Sequence, residues 1–151
     1  AHECDLELID AGAALPPPGA ALPPPQILAG GTRSLARGPA MTAEQFAAAW
    51  ELGEKAARRA ADAGVAVLLL GEMGIGNTTP AACLTMLLAG ADSDTATGRG
   101  AGADDDVLAH KRAIVNAAAE RAAAMLGDDP GAAIAEVAGF EIIAMAGCFA
   151  E

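Results

Sequence analysis

The chain has 151 residues, about one domain's worth, and a formal net charge of −11, which argues against a nucleic-acid binder, since such proteins normally show a basic face. A small phosphorylated ligand is not excluded, because it needs only local positive charge. Hydrophobic residues make up 53% but aromatics only 3%, and much of the remainder is alanine, so the apolar fraction overstates the core that can be buried.

From the N-terminus, residues 6–10 (LELID) read as a short strand ending in an acid. Residues 13–25 contain AALPPP twice, and six prolines in two runs favour an extended polyproline connection at the surface. Thr42-Ala-Glu-Gln45 has the form of a capping box and opens a helix to about residue 63. Phe46, Trp50, Ala57 and Ala61 fall at helical spacing and form its expected inner face, and Gly64 is its natural stop. The apolar run 65–70 reads as a strand, and the glycine-rich turn GEMGIGNTT follows at 71–79. A helix is expected over 80–89, with Pro80 suited to its first turn and Gly90 ending it. Residues 91–105 read as a polar loop. Asp104 or Asp105 caps a long helix of about 106–126, ended by Gly127. Asp129-Pro130 starts a last helical pattern from about residue 132 to Glu151, with Gly139 as the place where it could break.

Two strand-like segments are too few for a doubly wound sheet, so residues 1–151 read as part of a larger α/β protein. The three dispersed cysteines form no CxxC pair and indicate neither a zinc site nor a disulfide framework. Reduced thiols in a cytoplasmic protein are the expectation. No apolar run approaches the ~18–20 residues of a membrane span. The chain opens with acids rather than a basic segment, so no secretory leader is expected.

A glycine-rich turn between a strand and a helix is a place for phosphate, because backbone N–H groups and the helix N-terminus both face the anion. Gly71-x4-Gly76-Asn77-Thr78 fits the phosphate-loop pattern with asparagine in the lysine position. Asn77 has no charge with which to reach a triphosphate, which disfavours a nucleotide triphosphatase. The dinucleotide pattern fails too, since Asn77-Thr78-Thr79 follow Gly76. A single phosphate or small carboxylate fits better. Glu72 inside the turn suggests either a general base or a partner for loop amides. The second glycine loop, TGRGAG at 97–102, carries Arg99, and Lys111 and Arg112 follow on the next helix. These cations either supply the charge that Asn77 lacks or form a solvated helix face. His2 and His110 suggest no catalytic arrangement.

Taken together, GEMGIGNTT at 71–79, TGRGAG at 97–102, DDDVLAHKRAIV at 104–115 and EVAGFEIIAMAG at 136–147 resemble the nicotinate-nucleotide:dimethylbenzimidazole phosphoribosyltransferase family, with AGGTRSLARGPAMT at 29–42 in support. The resemblance implies an α/β fold with a Rossmann-like parallel sheet and covering helices, present here as an incomplete, helix-rich portion. It implies a homodimer with no metal or organic cofactor. The implied reaction moves phosphoribose from nicotinate mononucleotide to 5,6-dimethylbenzimidazole, giving α-ribazole 5′-phosphate and nicotinate. Residue by residue, Glu72 matches a glutamate beside the reacting rings. Gly74 matches a backbone contact to the nucleotide, and Gly100 and Lys111 match phosphate contacts. Gly76, Asn77, Thr78 and Arg99 lie in the same motifs and join the substrate-binding set. Family members are longer, and the main catalytic base is expected beyond Glu151, so Glu72 has a supporting place. The competing expectation is a noncatalytic nucleotide-binding or assembly piece completed by another chain.

Overall fold

The computed structural model describes residues 4–14, 27, 30–100 and 104–151. The proline-rich stretch from 15 to 25, His2 and Gly102 fall outside them. Six helices are present among the described residues: α1 (Ala43–Asp62), α2 (Thr78–Ala89), α3 (Ser93–Ala96), α4 (Asp105–Leu126), α5 (Pro130–Val137) and α6 (Phe140–Ala150).

Local signals account for most of their ends. The capping box forms as expected: Thr42 Oγ1 accepts the Gln45 N–H at 3.2 Å, and Gln45 Oε1 accepts the Thr42 N–H at 2.9 Å. At the other end of α1, Gly64 adopts φ +74°. That left-handed turn lets the Gly64 N–H reach the Ala61 carbonyl and the Val65 N–H reach the Ala60 carbonyl, which satisfies the last carbonyls of the helix. Asp104 caps α4 by accepting the Val107 N–H at 2.9 Å. The expected last helix is two helices, because Ala138 and Gly139 are both extended. The short helix α3 interrupts the expected loop 91–105, capped by Asp92 through the Thr95 N–H at 2.7 Å. Helix α2 begins two residues earlier than expected, at Thr78.

The inner face of α1 differs from the expected one. Ala49 and Gly53 are its buried residues, Phe46 and Trp50 are half-buried beside them, and Ala61 is exposed. The reason is the partner, because α1 lies directly on α6 at a glycine-to-glycine crossing. A Cβ on Gly53 would stand 1.8 Å from the Ala144 carbonyl oxygen, and one on Gly147 would stand 2.3 Å from that of Trp50. Only bare α-carbons allow backbones this close.

Two apolar clusters hold the chain. Ala82, Cys83, Val115, Ala118, Ala122 and Val137 pack where α2, α4 and α5 meet. Met41, Ala49, Ala135, Ala138, Phe140 and Ile143 pack where α1 meets α5 and α6. Leu84 packs against both. Burial pushes the Cys83 thiol up to about 11.

The parallel sheet expected from the sequence is absent among the described residues, and neither 6–10 nor 65–70 forms a ladder. The run 65–70 leaves α1 as irregular chain with a bend at Ala66, with Val67 at 74% and Leu69 at 83% exposure, and Leu6 is 89% exposed. A strand exists only through a neighbour that takes its backbone hydrogen bonds, and β-branched and leucine-rich composition alone does not supply one. Segment 4–11 lies instead beside α1, where Glu7 accepts from Arg59 Nε at 3.1 Å.

The loop 33–41 is tied to the helices by a polar node. Arg121 Nε donates to Glu136 Oε1 at 2.7 Å, and its Nη2 donates to the Leu35 carbonyl at 2.9 Å. The Ala40 N–H closes the node on the Glu136 carbonyl at 2.9 Å. Glu136 is buried, so removing its cation alone strands a charge. Arg121→Met is therefore expected to lower stability by about 3 kcal/mol in urea unfolding, whereas the double variant Arg121→Met/Glu136→Leu recovers more than half of the loss. Equal losses in the single and double variants would show that the node matters through its carbonyl grips alone.

Candidate functional site

The turn 71–79 and the loop 97–100 approach each other around Lys111. The turn is short and folded on itself: the Asn77 N–H donates to the Gly74 carbonyl at 3.1 Å, and Gly76 takes φ +89°. Asn77 then precedes α2 without a side-chain capping bond, and no acid lies in the first turn of α2. The positive end of a 12-residue helix thus lacks both its usual oxygen cap and any compensating carboxylate.

Lys111 comes to this end from the second turn of α4. Its Nζ donates to Thr78 Oγ1 at 2.9 Å and to the Gly98 carbonyl at 3.0 Å. The second glycine loop is rooted by Thr97, which is buried and donates its N–H to the Ser93 carbonyl at 2.9 Å. It closes over the same point at Gly100, whose φ is +65°. A Cβ there would lie 3.4 Å from Thr78 Oγ1 and 3.8 Å from Lys111 Nζ, so glycine keeps the space above both groups open. Ammonium, hydroxyl, helix N-terminus and two glycine loops thus meet at one point, and groups of this kind can hold an oxyanion.

Lys111 is half-buried, and its ammonium is turned to the turn and the second loop. Its neighbour Arg112 turns elsewhere, with Nε 3.2 Å from an Asp94 carboxylate oxygen. Arg99, in the second loop, is engaged by Asp105 on α4. His110 is exposed on α4.

Glu72 and Gly74 form the other side of the turn. Glu72 Oε2 accepts the Gly74 N–H, so this carboxylate does bond a loop amide. It also stands at a cavity of about 110 Å³ between α1 and α6, whose wall is mainly apolar, including Leu52, Leu70, Ala144 and Met145. Glu141 lines the same cavity. The motif reading included Glu141 only as part of EVAGFEIIAMAG and gave it no role. Its local signal is an acid two residues after a glycine that breaks a helical pattern, and nothing in the sequence ties it to Glu72. Burial, first, and the charge of Glu72 hold the Glu141 carboxyl above the usual carboxylate range, while a bond to its own backbone N–H opposes them. Among the described residues no group of three or more His, Cys, Asp or Glu could hold a metal ion. No helix among them is long and apolar enough to cross a membrane.

A family model described as Phosphoribosyltransferase matches residues 1–151. The chain is 51% identical over 143 residues to the nicotinate-nucleotide–dimethylbenzimidazole phosphoribosyltransferase of Deinococcus radiodurans, covering 95% of this chain and 38% of that protein. It is 39% identical over 151 residues to the protein of the same name from Thermus thermophilus, covering 100% of this chain and 44% of that one. The crystal structure of CobT from Thermus thermophilus superposes with a TM-score of 0.77 at 42% identity, over 91% of this chain and 40% of that one. The chain spans about two fifths of the length of these relatives.

Proposed function

The chain belongs to the phosphoribosyltransferase family, and on that premise we propose that it supplies one wall of a site that transfers phosphoribose from nicotinate mononucleotide to 5,6-dimethylbenzimidazole. The products are α-ribazole 5′-phosphate and nicotinate, a step in assembling the cobalamin nucleotide loop. The observation that carries this reading is the meeting of Lys111 Nζ with Thr78 Oγ1 at the uncapped N-terminus of α2, under the open face of Gly100. This cradle receives the 5′-phosphate, with Gly76 and Asn77 shaping the turn and Arg99 bracing the second loop.

The chemistry asks for positioning more than for a strong acid. The nicotinate nitrogen is quaternary in the substrate, so it leaves with the C1′–N electron pair as a neutral pyridine nitrogen. The acceptor's ring nitrogen attacks C1′ from the opposite face and inverts that centre. A carboxylate stabilises the positive charge that builds on the sugar and accepts the acceptor's N–H proton. Holding the two rings and the ribose in line supplies much of the remaining acceleration. Glu72 has the supporting place in this scheme, and the main base lies outside residues 1–151.

The same reading makes residues 1–151 one part of a Rossmann-like domain in a cytoplasmic homodimer. The exposed apolar run 65–70 supports a sheet completed by further strands, because Val67 and Leu69 lack cover here. The alternative, a noncatalytic nucleotide-binding piece completed by another chain, draws on the same exposed edge.

A chimera decides between them. Residues 1–151 grafted between the flanking segments of the Deinococcus relative are expected to form α-ribazole 5′-phosphate, detected by chromatography. The 151-residue chain alone is expected to bind nicotinate mononucleotide without turnover. Product from the chain alone overturns the missing base. A folded chimera that binds the nucleotide but forms no product favours the noncatalytic reading.

A further inference from the structure

Helix α3 is four residues long, contains no buried residue, and touches the core of α2, α4 and α5 through half-buried Ala96. Burial of apolar area therefore does little to keep it in place. The residue after it, Thr97, is enclosed, yet among the described residues its Oγ1 finds no hydrogen-bond partner. An unsatisfied hydroxyl weakens such a seam rather than closing it.

Charge is what grips the segment. Two consecutive cations of α4 reach it at two points. Arg112 Nε lies 3.2 Å from Asp94 Oδ1 on α3, and Lys111 Nζ donates to the Gly98 carbonyl at 3.0 Å. Arg99 and Asp105 add a third grip just beyond Gly98. Arg112 Nε is shut away from solvent and makes no aligned hydrogen bond among the described residues, so the Asp94 carboxylate serves it as counter-charge. Between the first two grips the chain is stiff: the Ala96 and Thr97 N–H groups donate to the Asp92 and Ser93 carbonyls, each at 2.9 Å. A shift of α3 is therefore carried to Gly98, and with it to the ammonium that also bonds Thr78.

We propose that Arg112 is a positioning residue: through Asp94 it fixes α3, and so sets the Gly98 carbonyl and the open face of Gly100 over Lys111 and Thr78. Its bearing on nucleotide binding rests on the role proposed above for Lys111, whereas the clamp on α3 does not. The competing account is a solvated ion pair without consequence, as many exposed pairs are.

The test uses the 151-residue chain and reads amide hydrogen exchange at Thr97 by NMR and affinity for nicotinate mononucleotide by calorimetry. Arg112→Gln is expected to speed exchange at Thr97 by about twofold to fivefold, the yield of an ion pair of this exposure, and to weaken binding by less than Lys111→Ala does. Exchange at Phe46, whose N–H bonds the Thr42 carbonyl at the start of α1, stays unchanged. Asp94→Asn, at an exposed position, gives the same changes, and adding it to Arg112→Gln gives nothing further. Arg112→Lys keeps the charge and restores both readings in part. Unchanged exchange at Thr97 in either single variant overturns the clamp, and so does an equal rise at Phe46, which marks general loosening. Faster exchange at Thr97 with wild-type affinity overturns the positioning role. If the wild-type chain does not bind the nucleotide, the proposed reaction fails and the exchange comparison alone decides the clamp.

Discussion

Gly53→Ala is expected to destabilise the chain by about 3 kcal/mol or more, the upper end of the range for overpacked sites. The added Cβ would meet the Ala144 carbonyl oxygen at 1.8 Å and the Cys148 amide nitrogen at 2.7 Å. These are backbone atoms of α6 and cannot rotate away as a side-chain tip can. The helices must separate, and the cluster of Ala49, Phe140 and Ile143 opens with them. With urea slopes of about 1–3 kcal/mol/M, the unfolding midpoint falls by about 1–3 M. Gly147→Ala is expected to do nearly as much, since its Cβ would meet the Trp50 carbonyl oxygen at 2.3 Å. Gly127→Ala is the control: open space surrounds it, its φ is −72°, and alanine there is expected to be neutral or mildly stabilising. Equal midpoints for Gly53→Ala and Gly127→Ala would mean that the crossing is looser than described.

Lys111→Ala is expected to weaken binding of nicotinate mononucleotide by about tenfold to a hundredfold, the range for a charge-assisted hydrogen bond worth about 1.5–3 kcal/mol. Calorimetric titration at low and at moderate salt measures it. The difference between wild type and variant should shrink as salt rises, because part of the interaction is between charges open to solvent. The geometry gives Lys111 a second task, since its bond to the Gly98 carbonyl holds the second glycine loop in place. Thr78→Val separates the two tasks. It removes the hydroxyl that Lys111 holds while leaving the ammonium in place, and is expected to cost less than the lysine. Unchanged affinity in Lys111→Ala would reduce the residue to a strut for the loop.

The sequence was most legible where structure is decided within a few residues. The Thr42–Gln45 box, the stop at Gly64 and the cap at Asp104 each form through neighbours three to five positions away. For Lys111 the sequence left two readings open, charge for the turn or a solvated helix face, and its contact with Thr78 is what the fold adds. Features that depend on distant partners were not. The run 65–70 has strand composition, yet its state depends on neighbours that none of the described residues provide. Gly53 and Gly147 look like weak points inside helices when read locally, and only the crossing of α1 with α6 explains them. Glu141 was likewise silent, because its relation to Glu72 exists only through the break at Gly139 and the path of the turn past α6.

Helix α5 has a consequence that outweighs its eight residues. Val137 belongs to the cluster with α2 and α4, while Ala135 and the following Ala138 belong to the cluster with α1 and α6. The backbone of this same short helix also receives the Ala40 and Met41 amides from the loop 33–41. Two small cores that could have melted separately are thereby made to share a wall. The contact of Lys111 with Thr78 rests on the first core, and the approach of Glu141 to Gly74 on the second. Their mutual alignment is therefore a property of one cooperative unit, in which loosening either half disturbs the spacing between Lys111 and Glu141.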